Sequence, residues 1–247
     1  MSRARQNGTP AARANLPAAW LVHLYTAFGA LAAFFGTVAV FEGRYRESFG
    51  WMFAATVVDA SDGFLARRLR VREVLPGFDG ARLDDIVDYL TFVFLPVVLL
   101  YHAGRLPVGW GAAVASTVLL SSAYGFCSTD AKTHDHFFTG FPSYWNIVAL
   151  YLFAAALPRE INGVLLLVLS AFVFVRIGYV YPSKTPVLRM LTVVLGIVWA
   201  AMIAAVIATL PAVNPWLLVL SLFYPVYYVV LSFVLHGRRA RFAEGHV

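Results

Sequence analysis

The chain has 247 residues, of which 60% are hydrophobic and only 13% charged, with a mean hydropathy of +0.73. A soluble globule carries about 25% charged residues, so these side chains are too few to clothe a water-exposed surface, and an integral membrane protein is expected. The lone Cys127 excludes a disulfide scaffold. The net charge of +6 fits basic residues gathered in cytoplasmic loops and implies no nucleic-acid partner.

Taken in chain order, residues 1–16 form a polar arm with Arg3, Arg5 and Arg13, read as a cytoplasmic tail. The apolar run that follows is too long for the core of a cleaved signal peptide. An apolar helix needs about 20 residues to cross about 30 Å of hydrocarbon. That measure predicts eight transmembrane helices, over 18–41, 48–66, 84–103, 107–127, 143–157, 161–181, 187–209 and 214–235, the fifth being short. With the N-terminus inside, the inner face holds fourteen basic residues: Arg3, Arg5, Arg13, Arg67, Arg68, Arg70, Arg72, Arg82, Lys132, Lys184, Arg189, Arg238, Arg239 and Arg241. The outer face holds four, Arg44, Arg46, Arg105 and Arg159, while Arg176 falls inside the sixth helix. This bias puts both termini in the cytoplasm. The fold class is therefore all-α and polytopic. Residues 1–247 read as a single membrane domain without repeats or low-complexity tracts.

One group of charges cannot be loop decoration. Asp59 and Asp62 end the second predicted helix, and Asp84, Asp85 and Asp88 begin the third. An ionisable group inside a spanning segment costs about 2.5–3.5 kcal/mol on insertion scales, and crowded carboxylates repel one another. A sequence that keeps them needs a cation. Asp59 and Asp62 are i,i+3, and Gly80, Asp84 and Asp88 are i,i+4,i+8, so each set shares one helix face. Two adjacent antiparallel helices can then aim four carboxylates at one point. Such hard oxygen ligands suit Mg²⁺ or Mn²⁺ and not zinc. Gly63, Ala66 and Gly80 leave room for phosphates, and Arg67 can pair with a phosphate or a ribose. Asp85 lies off the stripe, and Asp79 reads as a helix cap.

The run Asp59-Ala-Ser-Asp62-Gly63-Phe-Leu-Ala66-Arg67, twelve residues Arg68–Asp79, then Gly80-Ala-Arg-Leu-Asp84-Asp-Ile-Val-Asp88 resembles the signature of the CDP-alcohol phosphotransferase family. The resemblance covers 30 residues, 59–88, across the second and third predicted helices. Its spacer is longer than most of the family carries and resembles the bacterial branch that joins CDP-diacylglycerol to free choline. The segment from His134 to Asn146 resembles that branch too.

The resemblance implies transfer of the phosphatidyl group of CDP-diacylglycerol to choline, giving phosphatidylcholine and CMP, by in-line displacement assisted by two Mn²⁺ or Mg²⁺ ions. It implies metal ligation by Asp59, Asp62, Asp84 and Asp88, with Asp88 also the base that takes the choline proton. It implies nucleotide contacts from Asp59, Asp62, Gly63, Ala66, Arg67 and Gly80. It further implies a homodimer and a bacterial inner-membrane enzyme, and the arginine-rich connection Arg68–Asp79 places its site at the cytoplasmic face.

Choline's quaternary ammonium donates no hydrogen bond and is held by aromatic faces. Tyr89, Tyr144, Trp145 and Tyr181 are the candidates, although each also fits an interfacial aromatic belt; Phe92 and Tyr179 lie on the same side. Arg176, Lys184 and Arg189 are candidates for the lipid phosphate, and the C-terminal Arg238, Arg239 and Arg241 for anionic membrane lipids. His134 and His136 read as a solvated loop. Competing readings are the same chemistry with serine, inositol phosphate or glycerol 3-phosphate as acceptor, a membrane prenyltransferase, and a cation transporter. The anionic acceptors call for more basic residues near the site. A prenyltransferase calls for a second Asp-rich motif. A transporter calls for a repeated site at mid-membrane.

Overall fold

The computed structural model describes residues 15–128, 137–180 and 188–244. It begins with α1 (Leu16–Phe41) and α2 (Tyr45–Arg68), long helices that pack against each other more extensively than any other pair. The turn between them is closed by Arg44, which hydrogen-bonds both Glu42 and Glu47. Along the shared face, the Tyr25 and Ser61 hydroxyls meet at 2.8 Å. The spacer after α2 folds as one helical turn, α3 (Val71–Val74), which lays Val71 on Ala19 and Val22 of α1.

The third predicted helix is realised from residue 80 to 102 in three pieces: α4 (Gly80–Asp88), a π-helical turn (Tyr89–Phe94) and α5 (Leu95–His102). Pro96 explains the interruption. A proline has no N–H to give the carbonyl four residues earlier, and its ring crowds that carbonyl; here that residue is Phe92, inside the widened turn. Pro225 acts the same way on Ser221, the last residue of α10 (Pro215–Ser221), before α11 (Phe223–Glu244) resumes.

Between these lie α6 (Gly111–Cys127), α7 (Trp145–Ala154), α8 (Arg159–Phe172) and α9 (Arg189–Thr209). Phe49 and Met52 of α2, Leu95 and Leu99 of α5, Val114 and Val118 of α6, Leu150 of α7 and Ile203 of α9 share one apolar core. Among the described residues, three helical runs, Leu16–Phe41, Arg189–Thr209 and Pro215–Gly237, are long and apolar enough to cross a membrane, and Gly111–Cys127 and Trp145–Ala154 are shorter apolar helices.

The expectation of helix over 161–181 needs correcting. α8 stops at Phe172, and the chain continues into β2 (Gly178–Val180), which pairs antiparallel with the earlier β1 (Phe137–Thr139), Tyr179 lying opposite Phe138. The backbone of the 140 turn takes over the helix end: the Phe141 N–H donates to the Phe172 carbonyl at 3.0 Å and the Gly140 N–H to Ile177 at 2.9 Å. Gly140 sits at φ +82°, and a Cβ there would run into the Val173 carbonyl oxygen. Among the described residues the regular structure is thus helical apart from one short ribbon. Arg176 consequently lies in the connection to β2 and not within a helix.

Close packing of α1 on the third helical run depends on two glycines seven residues apart. A Cβ on Gly29 would collide with Cγ1 of Val87, and one on Gly36 would come within 2.5 Å of Leu95 Cδ2. Gly29→Ala is therefore expected to lower stability by about 1–3 kcal/mol through overpacking, with Val87→Ala in the same chain recovering most of the loss. Thermal unfolding in detergent checks this, and a Gly29→Ala protein as stable as the parent would remove the close-contact argument.

Candidate active site

Asp59 and Asp62 project from the last turns of α2, and Asp84 and Asp88 from successive turns of α4. α1 packs against both helices. One carboxylate oxygen from each of Asp59, Asp84 and Asp88 lies within 4.8 Å of the others, a spacing able to hold a metal ion. These three residues line a small cavity together with Asp62, Ala55 and Val58 of α2, Val87 of α4, Thr91 of the π turn, and Thr26 and Gly29 of α1. The donor set is hard oxygen throughout, which fits Mg²⁺ or Mn²⁺.

Asp62 stands apart from the other three. It is only 6% exposed, and its Oδ2 accepts a 2.7 Å hydrogen bond from the Thr26 hydroxyl. Asp79 caps α4: its Oδ1 accepts the Arg82 backbone N–H at 3.1 Å. Because that cap fixes where the helix begins, it also fixes the rotation at which Asp84 and Asp88 emerge.

The small residues of the motif have particular neighbours. A Cβ on Gly80 would stand 2.6 Å from Cε1 of His23, so the imidazole of α1 fills the space a side chain would need. His23 is buried, rests against Phe78 of the spacer at 4.4 Å between ring centres, and its Nε2 has no hydrogen-bond partner among the described residues. Ala66 packs beside Ala19, Val22 and Val71. Arg67 is exposed and folds back over Gly63, with Nη1 3.2 Å from where a Cβ would sit.

The aromatic candidates separate. Tyr89 is half-buried, and its hydroxyl donates to the Leu119 carbonyl at 3.0 Å. Trp145 is 1% exposed and gives its indole N–H to Ser122 Oγ at 2.7 Å. Tyr144 meets Tyr228 of α11 edge-on at 6.2 Å, and Tyr228 stacks with Tyr179 at 6.3 Å, which gathers three tyrosines from the start of α7, from α11 and from β2. Arg189 opens α9 and is exposed, as is Arg176. Tyr181, Lys184, His134 and His136 lie outside the described residues.

Sequence reasoning missed the contribution of α1. His23, Thr26 and Gly29 recur at three-residue intervals on one face of a largely apolar helix. That signal was available, since polar groups inside a spanning helix are costly and face protein. It carried no motif.

Three carboxylates converging beside a buried fourth, within a bundle containing three membrane-length helices, define a helical membrane protein with an acidic site able to hold a metal ion. No protein-family model matches the chain. It is 39% identical to a phosphatidylcholine synthase of Legionella bozemanae, over 81% of this chain and 95% of the relative. It is 38% identical to one of Legionella pneumophila, over 87% of this chain and 88% of the relative, and 33% identical to one of Rhizobium meliloti, over 88% and 90%. The chain belongs to the phosphatidylcholine synthase family, and is an enzyme.

The contact between Gly80 and His23 generates a test. Gly80→Ala is expected to reduce phosphatidylcholine formation by forcing the imidazole aside, and His23→Ala added to it should restore a measurable part. A double variant as inactive as Gly80→Ala would show instead that the glycine does not act through the imidazole.

Proposed function

We propose that the enzyme transfers the phosphatidyl group of CDP-diacylglycerol to choline, producing phosphatidylcholine and CMP. The observation that carries this reading is the convergence of Asp59, Asp84 and Asp88 in a chain whose relatives bear that enzyme's name. Choline's oxygen forms a bond to the phosphorus that bears the diacylglycerol, and the bond from that phosphorus to CMP breaks.

Asp59, Asp62, Asp84 and Asp88 are the ligands for Mn²⁺ or Mg²⁺, and two ions would neutralise the pyrophosphate and the departing oxygen. Asp88 takes the hydroxyl proton of choline. Its position just before the π turn supports that role, since such turns re-aim side chains at functional sites. Gly63, Ala66, Arg67 and Gly80 line the nucleotide, with the exposed guanidinium of Arg67 able to reach a phosphate.

Tyr89, Tyr144 and Tyr181 form the ammonium site, and Trp145, whose ring is buried, supports it from behind. The clustering of Tyr144 with Tyr228 and Tyr179 supports a rich aromatic surface there, and buried Trp145 holds the chain at Tyr144 from within. Arg176, Lys184 and Arg189 serve the lipid phosphate. The whole chain acts as one membrane domain of eight spans in the bacterial inner membrane, as a homodimer, with the site and both termini on the cytoplasmic side.

A headgroup panel tests this. With CDP-diacylglycerol and Mn²⁺, choline is expected to trigger CMP release and phosphatidylcholine formation, while serine, inositol phosphate and glycerol 3-phosphate do not; Asp88→Asn should be inactive. Release with another alcohol would overturn the acceptor, and a fully active Asp88→Asn would remove the base. Tyr144→Ala is expected to raise the KM for choline about tenfold, near the 1–2 kcal/mol of a desolvated cation–π contact, with CDP-diacylglycerol kinetics intact. An unchanged choline KM would strike Tyr144 from the site.

A further inference from the structure

We infer that Thr26, on α1 and outside the aspartate signature, is the positioning residue that holds Asp62 for cation binding. The inference rests on the reading of the aspartate site as a divalent-cation centre. Asp62 is nearly as inaccessible as the apolar residues around it, at 6% exposure, and the Thr26 hydroxyl at 2.7 Å is the hydrogen-bond partner that the described residues give it. Among those residues no arginine, lysine or histidine forms an ion pair with it.

A carboxylate removed from water requires compensation by hydrogen bonds and opposite charge. Thr26 supplies the first at Oδ2. The same bond stops the carboxylate from turning about its terminal torsion, which is otherwise broad. Oδ1 is left for the cavity that Asp62 lines with Asp59, Asp84 and Asp88.

Thr26 is itself constrained. It is 7% exposed, and its hydroxyl lies 3.4 Å from the Val22 carbonyl of its own helix, the acceptor it would use if Asp62 were absent. The 2.7 Å contact to the carboxylate is the shorter of the two and is charge-assisted. A valine has almost the same shape without the hydroxyl, so Thr26→Val removes the bond and leaves the packing of α1 on α2 in place.

Partners that orient metal ligands from behind are generally worth 10- to 100-fold in metal affinity, roughly. Binding of Mn²⁺ to the purified full-length protein, followed by the loss of the free-ion electron paramagnetic resonance signal, reads this without turnover. Thr26→Val is expected to raise the Mn²⁺ concentration for half-saturation about 10- to 100-fold, and to leave the KM for choline unchanged when activity is assayed at saturating metal. Thr26→Ser, which keeps the hydroxyl, should bind Mn²⁺ like the parent, and Thr26→Val should cost nothing further in an Asp62→Asn chain. Thr26→Ala serves the same comparison if the valine variant does not extract as a single species. Parent-like Mn²⁺ binding by the variants lacking the hydroxyl would overturn the inference, as would an equal loss in the Asp62→Asn background. A parent protein that bound no Mn²⁺ would instead overturn the cation-centre reading itself.

Discussion

The close packing of α1 against both α2 and α4 is the constraint on which the rest of the site depends. The carboxylates belong to α2 and α4, yet each of those helices is registered through α1. Thr26 reaches across to Asp62, the Tyr25 hydroxyl meets Ser61, and Gly29 lets Val87 come in until no room for a Cβ remains. Even the spacer between the two halves of the signature is drawn onto this helix, Val71 by Ala19 and Val22, and Phe78 by Trp20 and His23. α1 thus serves as the template against which four like charges are assembled. Such a template is needed because the carboxylates repel one another and would not gather by themselves.

The electrostatic logic explains why the site divides into three carboxylates and one. Asp59, Asp84 and Asp88 remain partly exposed and close together, where water and a cation can reach them. Asp62 is buried and held by a neutral hydroxyl. Exposed carboxylates tolerate the absence of a cation because solvent screens them, whereas a buried one depends on its protein partners. The arrangement gives the site one rigid corner and one open side.

Proline places the irregularities of the long helices. Pro96 coincides with the π turn that follows Asp88, and Pro225 with the break between α10 and α11. In each case the disturbed carbonyl is the one four residues earlier, as loss of the N–H requires. The ribbon that replaces the end of the sixth predicted helix has a different origin, since backbone donors from Gly140 and Phe141 claim carbonyls at 172 and 177. Its effect reaches the functional reading: Tyr179 is placed on a strand beside Tyr228, and Arg176 leaves the helix in which it would have been an isolated charge.

Much of this was legible in the residues. Hydropathy placed helical segments close to where they occur, because apolar length is a local property of the chain. The i,i+3 and i,i+4 spacings of Asp59 with Asp62 and of Asp84 with Asp88 put each pair on one helix face, since helix periodicity is local too. Asp79 as a cap followed from its place before an acidic helix, and its Oδ1 does accept the Arg82 N–H. The ribbon, the role of Gly80 as a seat for His23 and the clamp of Thr26 on Asp62 were not legible. They join residues 41, 57 and 36 positions apart: Phe138 with Tyr179, His23 with Gly80, and Thr26 with Asp62. No local pattern in a single chain encodes which helix lies beside which. The sequence by itself determined that carboxylates would line two helix ends, on faces able to hold a cation together. The tertiary structure alone decided that a third helix brings them together, because contact between distant segments depends on the packing of whole faces and not on the order of residues along one of them.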